Sequence, residues 1–260
     1  MQSHWPFLAS MTWTEAAEAL EQHPVGLLPV GAIEAHGPHL PLDTDVIIAA
    51  GMARGATERL RELGIASLVL PAISYTVSFV GTSFPGTSPA EPGAFESYLT
   101  SILRNLAPQG YRSIVVCNGH LEPAHVHSIQ SACHSAEAAS GIPIRSPDQR
   151  APKLSCLLSD EFQAGARHAG SYETSIVMAE QPHVVRANIL KDLNPVWIDL
   201  PERLREGAQT FTEAGADMGY FGNPARASVE EGHRMLDVLA GMVVDVCRES
   251  GVLASDDQSS

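Results

Sequence analysis

Apolar runs rich in β-branched residues recur at about 25–33, 67–73, 113–118 and 142–147, with a weaker run at about 153–158. Each is too brief for a helix and is bounded by glycine, proline or asparagine, so each predicts a short buried strand. Between them the apolar positions predict helices at about 45–63, 91–107 and 123–140. Thr12 stands three residues before Glu15, the spacing of a capping box, and opens a helix to about residue 21. Pro123 falls in the first turn of its helix, where a missing N–H does no harm. Strand and helix alternating at this interval predict parallel βαβ units with right-handed crossovers. The fold class is therefore α/β, a three-layer α/β/α arrangement on a mostly parallel sheet.

Beyond residue 181 the pattern loosens. Pro182, Pro195 and Pro201 interrupt it, and Gly215, Gly219, Gly222 and Pro224 mark a long irregular loop. Loops of that length in a compact domain are functional or bury against a partner. A final amphipathic helix is expected at about 228–248 and a flexible tail at about 251–260. With no repeat, low-complexity block or linker, residues 1–260 read as one domain.

The chemistry lies where two strands end. The first run leads through Gly31 into Glu34 and His36, then Asp45. In open α/β sheets ligands bind at the carboxyl ends of strands. Two residues apart on extended chain, Glu34 and His36 project to one side. Taken alone, a capping carboxylate and a surface histidine would explain them equally well. The run before Asn118-Gly119 then leads into His120, Leu121 and Glu122, again with His and Glu two apart. Two matched endings give five candidate ligands, Glu34, His36, Asp45, His120 and Glu122. Carboxylate and imidazole suit zinc, manganese or iron. Five ligands exceed what one zinc usually takes and suit two divalent metal ions bridged by a carboxylate and a water. Asp45 also reads as a helix cap, although Asp43 and Thr44 are equally good caps.

These residues resemble the creatininase family of metal-dependent amidohydrolases. The resemblance spans about residues 11–180 in family order. It comprises Met11-Thr12-Trp13, the stretch 28–45, Phe84-Pro85-Gly86-Thr87, Asn118-Gly119-His120, and His168 through Ser175. It implies that Glu34, Asp45 and His120 hold one metal and that His36, Asp45 and Glu122 hold the other. It also implies a homo-hexamer, and a functional histidine at His168. Two cations sharing a water lower its pKa and supply hydroxide to an amide carbon. The departing nitrogen needs a proton, which the resemblance assigns to His168, with Glu122 assisting. Glu173 is expected to be structural or to support a ligand, with direct ligation the lesser reading. His39 is expected to support a ligand, His125 and His127 to ligate nothing, and Cys117 to be core. The Phe84–Thr87 loop is expected to shape the pocket through its backbone or to pack a subunit interface.

Departures bear on substrate. Leu121 stands where the ring-opening enzyme has an aromatic side chain, and Ser83 where a more polar or basic residue is common. The tryptophans are Trp5, Trp13 and Trp197, with none between the last two. The metal chemistry is kept and a creatinine slot is not, so the expected substrate is another small amide, lactam or formamide. A dinuclear ester or peptide hydrolase would share every ligand. A metal-stabilised assembly or maturation factor would share them without turnover.

Composition narrows the partners. A net charge of −14 argues against nucleic-acid binding. No apolar run suggests a membrane span, and residues 1–10 lack the pattern of a secretory signal. Cys117, Cys133, Cys156 and Cys247 are widely spaced, which fits reduced thiols and a cytoplasmic setting.

Overall fold

The computed structural model describes residues 6–253. Trp5 and the tail from 254 onward lie outside the described residues. Four strands form one sheet: β1 (Val25–Val30), β2 (Ser67–Val69), β3 (Ser113–Asn118) and β4 (Ile144–Arg145). Their order is β2-β1-β3-β4 and every pairing is parallel. Val25 lies opposite both Ser67 and Ser113, which fixes the register of the three central strands.

Period-two alternation divides the apolar side chains between two faces. Val25, Leu27, Val115 and Cys117 join one core with Ile48 and Met52 of α2 (Thr44–Glu62) and Leu239 and Val243 of the C-terminal helix Val229–Glu249. Leu28, Val30, Ile114 and Val116 join the other with Phe95 and Leu99 of α3 (Pro92–Leu106) and Ile129 of α4 (Pro123–Ser140). Helices therefore cover both faces, as continuous apolar strands require. Truncating a buried leucine such as Leu27 to alanine should cost about 2–5 kcal/mol.

Pro29 lies inside central β1, normally an unfavourable place. Its carbonyl accepts from Ile73 on the β2 side, beyond Val69 where β2 has ended. The N–H that proline lacks would face the same side, where the register with β2 stops at Leu27 opposite Val69. The α1 helix (Trp13–Leu20) carries the expected capping box, with Thr12 N–H donating to Glu15 at 2.7 Å. β2 and β4 are shorter than the apolar runs. Pro71 interrupts the first, while Pro143 and Pro147 bracket the second.

The weak strand expected at 153–158 is instead a helical turn, Pro152–Ser155, followed by further turns. Proline at its start favours that turn. Leu154 and Leu158, four apart, both meet the core beside α2, a helical rather than an alternating spacing. The region after 181 is not one open loop. It contains Ala187–Leu190, Leu200–Arg205 and Phe211–Ala214, all helical, and a bridge between Val196 and Gly222. Leu200, Phe211, Ala214 and Phe221 form a small apolar cluster with Ala166. Among the described residues, no helix is long and apolar enough to cross a membrane.

Candidate metal centre

Two glycines bring the first turn of α2 against the ends of β1 and β3. A Cβ on Gly31 would lie 2.5 Å from Val46 N, and one on Gly119 would lie 2.1 Å from Asp45 O. Only residues without side chains permit this approach. Asp43 occupies the N-cap position without a side-chain cap bond, and Asp45 caps nothing. The Asp45 carboxylate instead points between the strand ends, with Oδ1 3.1 Å from His36 Nε2 and Oδ2 2.9 Å from His120 Nδ1.

The neighbours are fixed from behind. Ser78 donates to Glu34 Oε1 at 2.8 Å, while Glu34 Oε2 lies 3.4 Å from His120 Nδ1 and 3.7 Å from His168 Nδ1. A Cβ on Gly81 would meet Glu34 Oε1 at 2.8 Å, so the Val80–Ser83 turn closes directly over that carboxylate. Val80 N–H donates to Glu122 Oε2 at 3.1 Å. His36 Nδ1 engages the Glu34 carbonyl at 3.0 Å, and its Nε2 lies 3.6 Å from Glu173 Oε2. Asn118 ties down the β3 end: Oδ1 accepts from His120 N–H at 3.0 Å, and Nδ2 donates to His120 O.

Three sets of ligand atoms each converge within 4.8 Å: Glu34, His120 and Glu122; His36, Asp45 and Glu173; Glu34, His36 and His168. All five expected ligands and His168 therefore meet in one place. Neither expected grouping is among these sets: Glu122 converges with Glu34 and His120 in place of Asp45, and Glu173 with His36 and Asp45 in place of Glu122. The sequence signal of Glu173 was a carboxylate in a first helical turn, which ordinarily reads as favourable to the helix dipole. His39 stays outside the cluster, 2.9 Å from Thr174 Oγ1. His125 is buried against Asn118 and the His120 ring, and His127 is exposed.

Packing Glu34, Asp45 and Glu173 against three imidazoles distorts their titration. Burial raises Glu34 and Glu173 to about 7, against the opposing pull of His120 and His36 respectively. Burial would lower the two histidines, but nearby carboxylates win and raise His36 to about 10 and His120 to about 9. Burial also opposes ionisation of Asp45, yet His36 and His120 hold it well below the ordinary carboxylate range. His168 is pushed well below its ordinary value, first by burial and then by His36. Glu34 Oε2, Asp45 Oδ2 and His120 Nε2 are buried without a hydrogen bond. Buried polar atoms rarely stay unpaired. Orphaned oxygen and nitrogen ligand atoms gathered in one cluster are the fit expected of cations of the zinc or manganese type.

The family profile described as Creatinine amidohydrolase matches residues 9–247. This chain belongs to the creatininase family. It is accordingly a hydrolase of a metal-dependent family. It is 31% identical over 250 residues to a mycofactocin precursor peptide peptidase of Mycobacterium tuberculosis (strain CDC 1551 / Oshkosh), covering 94% of this chain and 91% of that protein. It is 28% identical over 267 residues to a creatinine amidohydrolase of Pseudomonas putida, covering 94% and 96%. A solved creatininase mutant of zinc–zinc type shares the fold, with a TM-score of 0.74 at 23% identity over 97% of this chain and 100% of that one.

The creatininase-family cluster floors a cavity of about 460 Å³. Val80, Leu121, Leu204 and Phe211 give it apolar walls, and neither Trp13 nor Trp197 lines it. Both tryptophans are exposed, at 82% and 58%. The Phe84–Thr87 loop does not line the cavity either. It braces the floor from behind through a side chain, Thr87 Oγ1 accepting from Ala35 N–H at 3.0 Å. Several lining residues escaped the sequence reading, among them Arg150, Arg167, Arg205 and Phe211. Phe211 lies within the stretch that reads as irregular loop, yet its ring stacks on His168 with centroids 4.0 Å apart.

Proposed function

We propose that this chain hydrolyses the C–N bond of a small amide other than creatinine, at a centre for two divalent cations. One observation carries the reading: seven ionisable side chains converge, with orphaned ligand atoms, on the floor of an open, apolar-walled cavity. Glu34, His120 and Glu122 would hold one cation, and His36 and Glu173 the other. Asp45, with one oxygen toward each histidine, would serve both. Such a pair, when bound, lowers the pKa of a water and polarises a carbonyl.

The rest is work for the chain. The apolar wall at Leu121, Phe211 and Leu204 orients an acyl or side-chain group and excludes water. His168 Nε2 engages the Ala35 carbonyl at 2.9 Å, and as its donor leaves the Nδ1 lone pair toward the floor. Burial keeps that ring neutral. We assign Nδ1 to accept a proton from the attacking water and return it to the departing nitrogen. Glu122 is the least buried carboxylate at the floor, placed to relay that proton. The similarity to a peptide peptidase supports widening the substrate from lactams and formamides to short peptides.

Steady-state kinetics on creatinine, a lactam, a formamide and an acylated dipeptide will test the reading, with His168→Ala as control. Turnover of a non-creatinine amide, lost in the variant with metal content unchanged, is expected. A metal-loaded protein inert toward every amide would favour an assembly or maturation factor, and creatinine as the best substrate would overturn the pocket reading. We also propose a cytoplasmic homo-hexamer, supported by four unpaired cysteines and by exposed Trp13, Tyr98 and Trp197. Light scattering at the mass of the 27.7 kDa chain would refute the assembly.

A further inference from the structure

Three arginines, Arg150, Arg167 and Arg205, line the cavity above the ligand cluster. The chain has 16 Lys and Arg against 30 Asp and Glu, so their gathering at one cavity is not what its surface at large would supply. Their situations differ. Arg150 is engaged within the chain, its Nε 2.9 Å from Asp148 Oδ1 and its Nη2 3.0 Å from Oδ2. Arg205 is exposed at the end of its short helix and forms no ion pair among the described residues.

Arg167 is half-buried and held in place. Its Nε donates to Phe162 O at 3.0 Å, and its guanidinium carbon lies 4.6 Å over the Phe162 ring. Both terminal nitrogens are left without an ion-pair partner among the described residues. Burial lowers its pKa, and the field of Asp199 only partly opposes this. A guanidinium fixed on one edge and one face, with its fork unfilled, is prepared for a bidentate anion. Leu200, Leu204 and Phe211 lie along the same wall.

We propose that Arg167, assisted by Arg205, receives the carboxylate of the substrate. The substrate is then an N-acyl amino acid or short peptide with a free C-terminus and an apolar side chain. This rests on the hydrolase reading above and narrows it, since neither a simple lactam nor creatinine carries such an anion. Arg167 precedes His168 in the chain, so one short segment would supply both the anchor and the proton carrier.

The test is calorimetric binding of N-acetyl-leucine and of N-acetyl-leucinamide to the metal-loaded protein. The carboxylate should bind about tenfold tighter or more, the worth of a charge-assisted pair. Arg167→Gln should close that gap with metal content and circular dichroism unchanged, and Arg205→Gln should narrow it severalfold. If Arg167→Gln does not fold, Arg205→Gln and the wild-type salt dependence decide, the gap narrowing as salt rises. No preference in the wild type overturns the proposal. So does a preference that survives these substitutions, because the carboxylate would then sit on the cations. An Arg167-dependent gap without turnover of any amide removes the hydrolase reading and leaves the anion site standing. Amide turnover without a gap does the reverse.

Discussion

The floor and the rim of the cavity are built on different plans. The floor hangs from the ends of β1 and β3 and the first turns of two helices, and most of its charged groups are fully buried. Two of its carboxylates are oriented by a further contact, Ser78 on Glu34 and Val80 on Glu122. The rim comes from segments around 148–167 and 200–211, short helices and turns whose apolar cluster is small. Rigid elements hold chemistry to fixed geometry, while irregular segments choose what reaches it. On the proposed function, most bond-breaking groups and most substrate contacts therefore belong to different segments, joined at Arg167-His168 and at Leu121 between His120 and Glu122.

Removing the group shared across the floor should produce the largest effect. Asp45→Ala takes away the carboxylate that faces both His36 and His120. Bound metal should fall in both sites, and amide turnover should drop well beyond the roughly hundredfold seen for supporting residues. Elemental analysis of the purified variant measures the loss directly, and unchanged metal content would break the claim that the floor is one unit.

How much of this the sequence reveals follows the same division. Glu34, His36, His120 and Glu122 are legible because strand ends place them by a two-residue period, and Asp45 is less so because a carboxylate at a helix start also reads as a cap. Glu173 is not legible as a ligand, since a carboxylate in a first helical turn has an ordinary electrostatic explanation. The rim is nearly silent. Arg167 lies between Gly165 and Ala169, both at positive φ, and Phe211 opens a four-residue helix that Gly215 closes at positive φ, and no periodicity encodes those paths. The supposed strand at 153–158 fails for a related reason: a few apolar residues fit either period, and Pro152 decided for the turn.

Stability against pH should separate the regions next. In metal-stripped protein, Glu34 and Glu173 have folded pKa values near 7 against an ordinary 4.5, raised chiefly by burial. Their contribution is full below 4.5 and is lost as pH rises through 7. His36 and His120 are raised from 6.5 to about 10 and 9 by their carboxylate neighbours despite burial, so their contribution is full below 6.5 and is lost toward those values. Both trends have one sign, so the stripped floor should lose stability from about pH 5 to 9, at up to about 1.4 kcal/mol per pH unit for each titrating group. Asp45, held low, works the other way only below its ordinary 3.8. Cations prefer deprotonated ligands, so zinc should rescue most at high pH. Scanning calorimetry at pH 6 and 9, with chelator and with zinc, would measure it. Equal melting of the stripped protein at both values would show that the floor does not govern its pH response.

One residue ties the two plans together. The Glu161 carboxylate accepts from Tyr172 N–H at 3.1 Å, beside Glu173, and from Asn223 N–H at 2.6 Å, beyond the rim. Gly170 and Gly222 leave room for it, since a Cβ on either would fall 2.2 Å from a Glu161 oxygen. Glu161→Gln keeps the shape but turns one acceptor into a donor facing an N–H. A loss of about 1–3 kcal/mol is expected, with KM raised and metal retained. Loss of metal along with stability would mean that the rim holds the floor in place.

The smallest effect tests whether the rim touches the chemistry at all. Phe211 stacks on His168 at 4.0 Å with 26° between the rings, and both contribute to the cavity lining. Leucine at this position would keep the apolar volume and lose the ring contact, worth about 0.5–1.5 kcal/mol. If that contact orients His168, Phe211→Leu should lower kcat by about twofold to tenfold, at 1.4 kcal/mol per decade. Metal content should not change, because neither Glu34 nor His36 touches the phenyl ring to find its place. KM should move little, since the acyl group still meets a hydrocarbon wall. A change in KM alone would assign Phe211 to substrate fit and leave the positioning of His168 to its 2.9 Å contact with the Ala35 carbonyl. A change in kcat alone would extend the floor by one residue into a segment that reads from sequence as irregular loop.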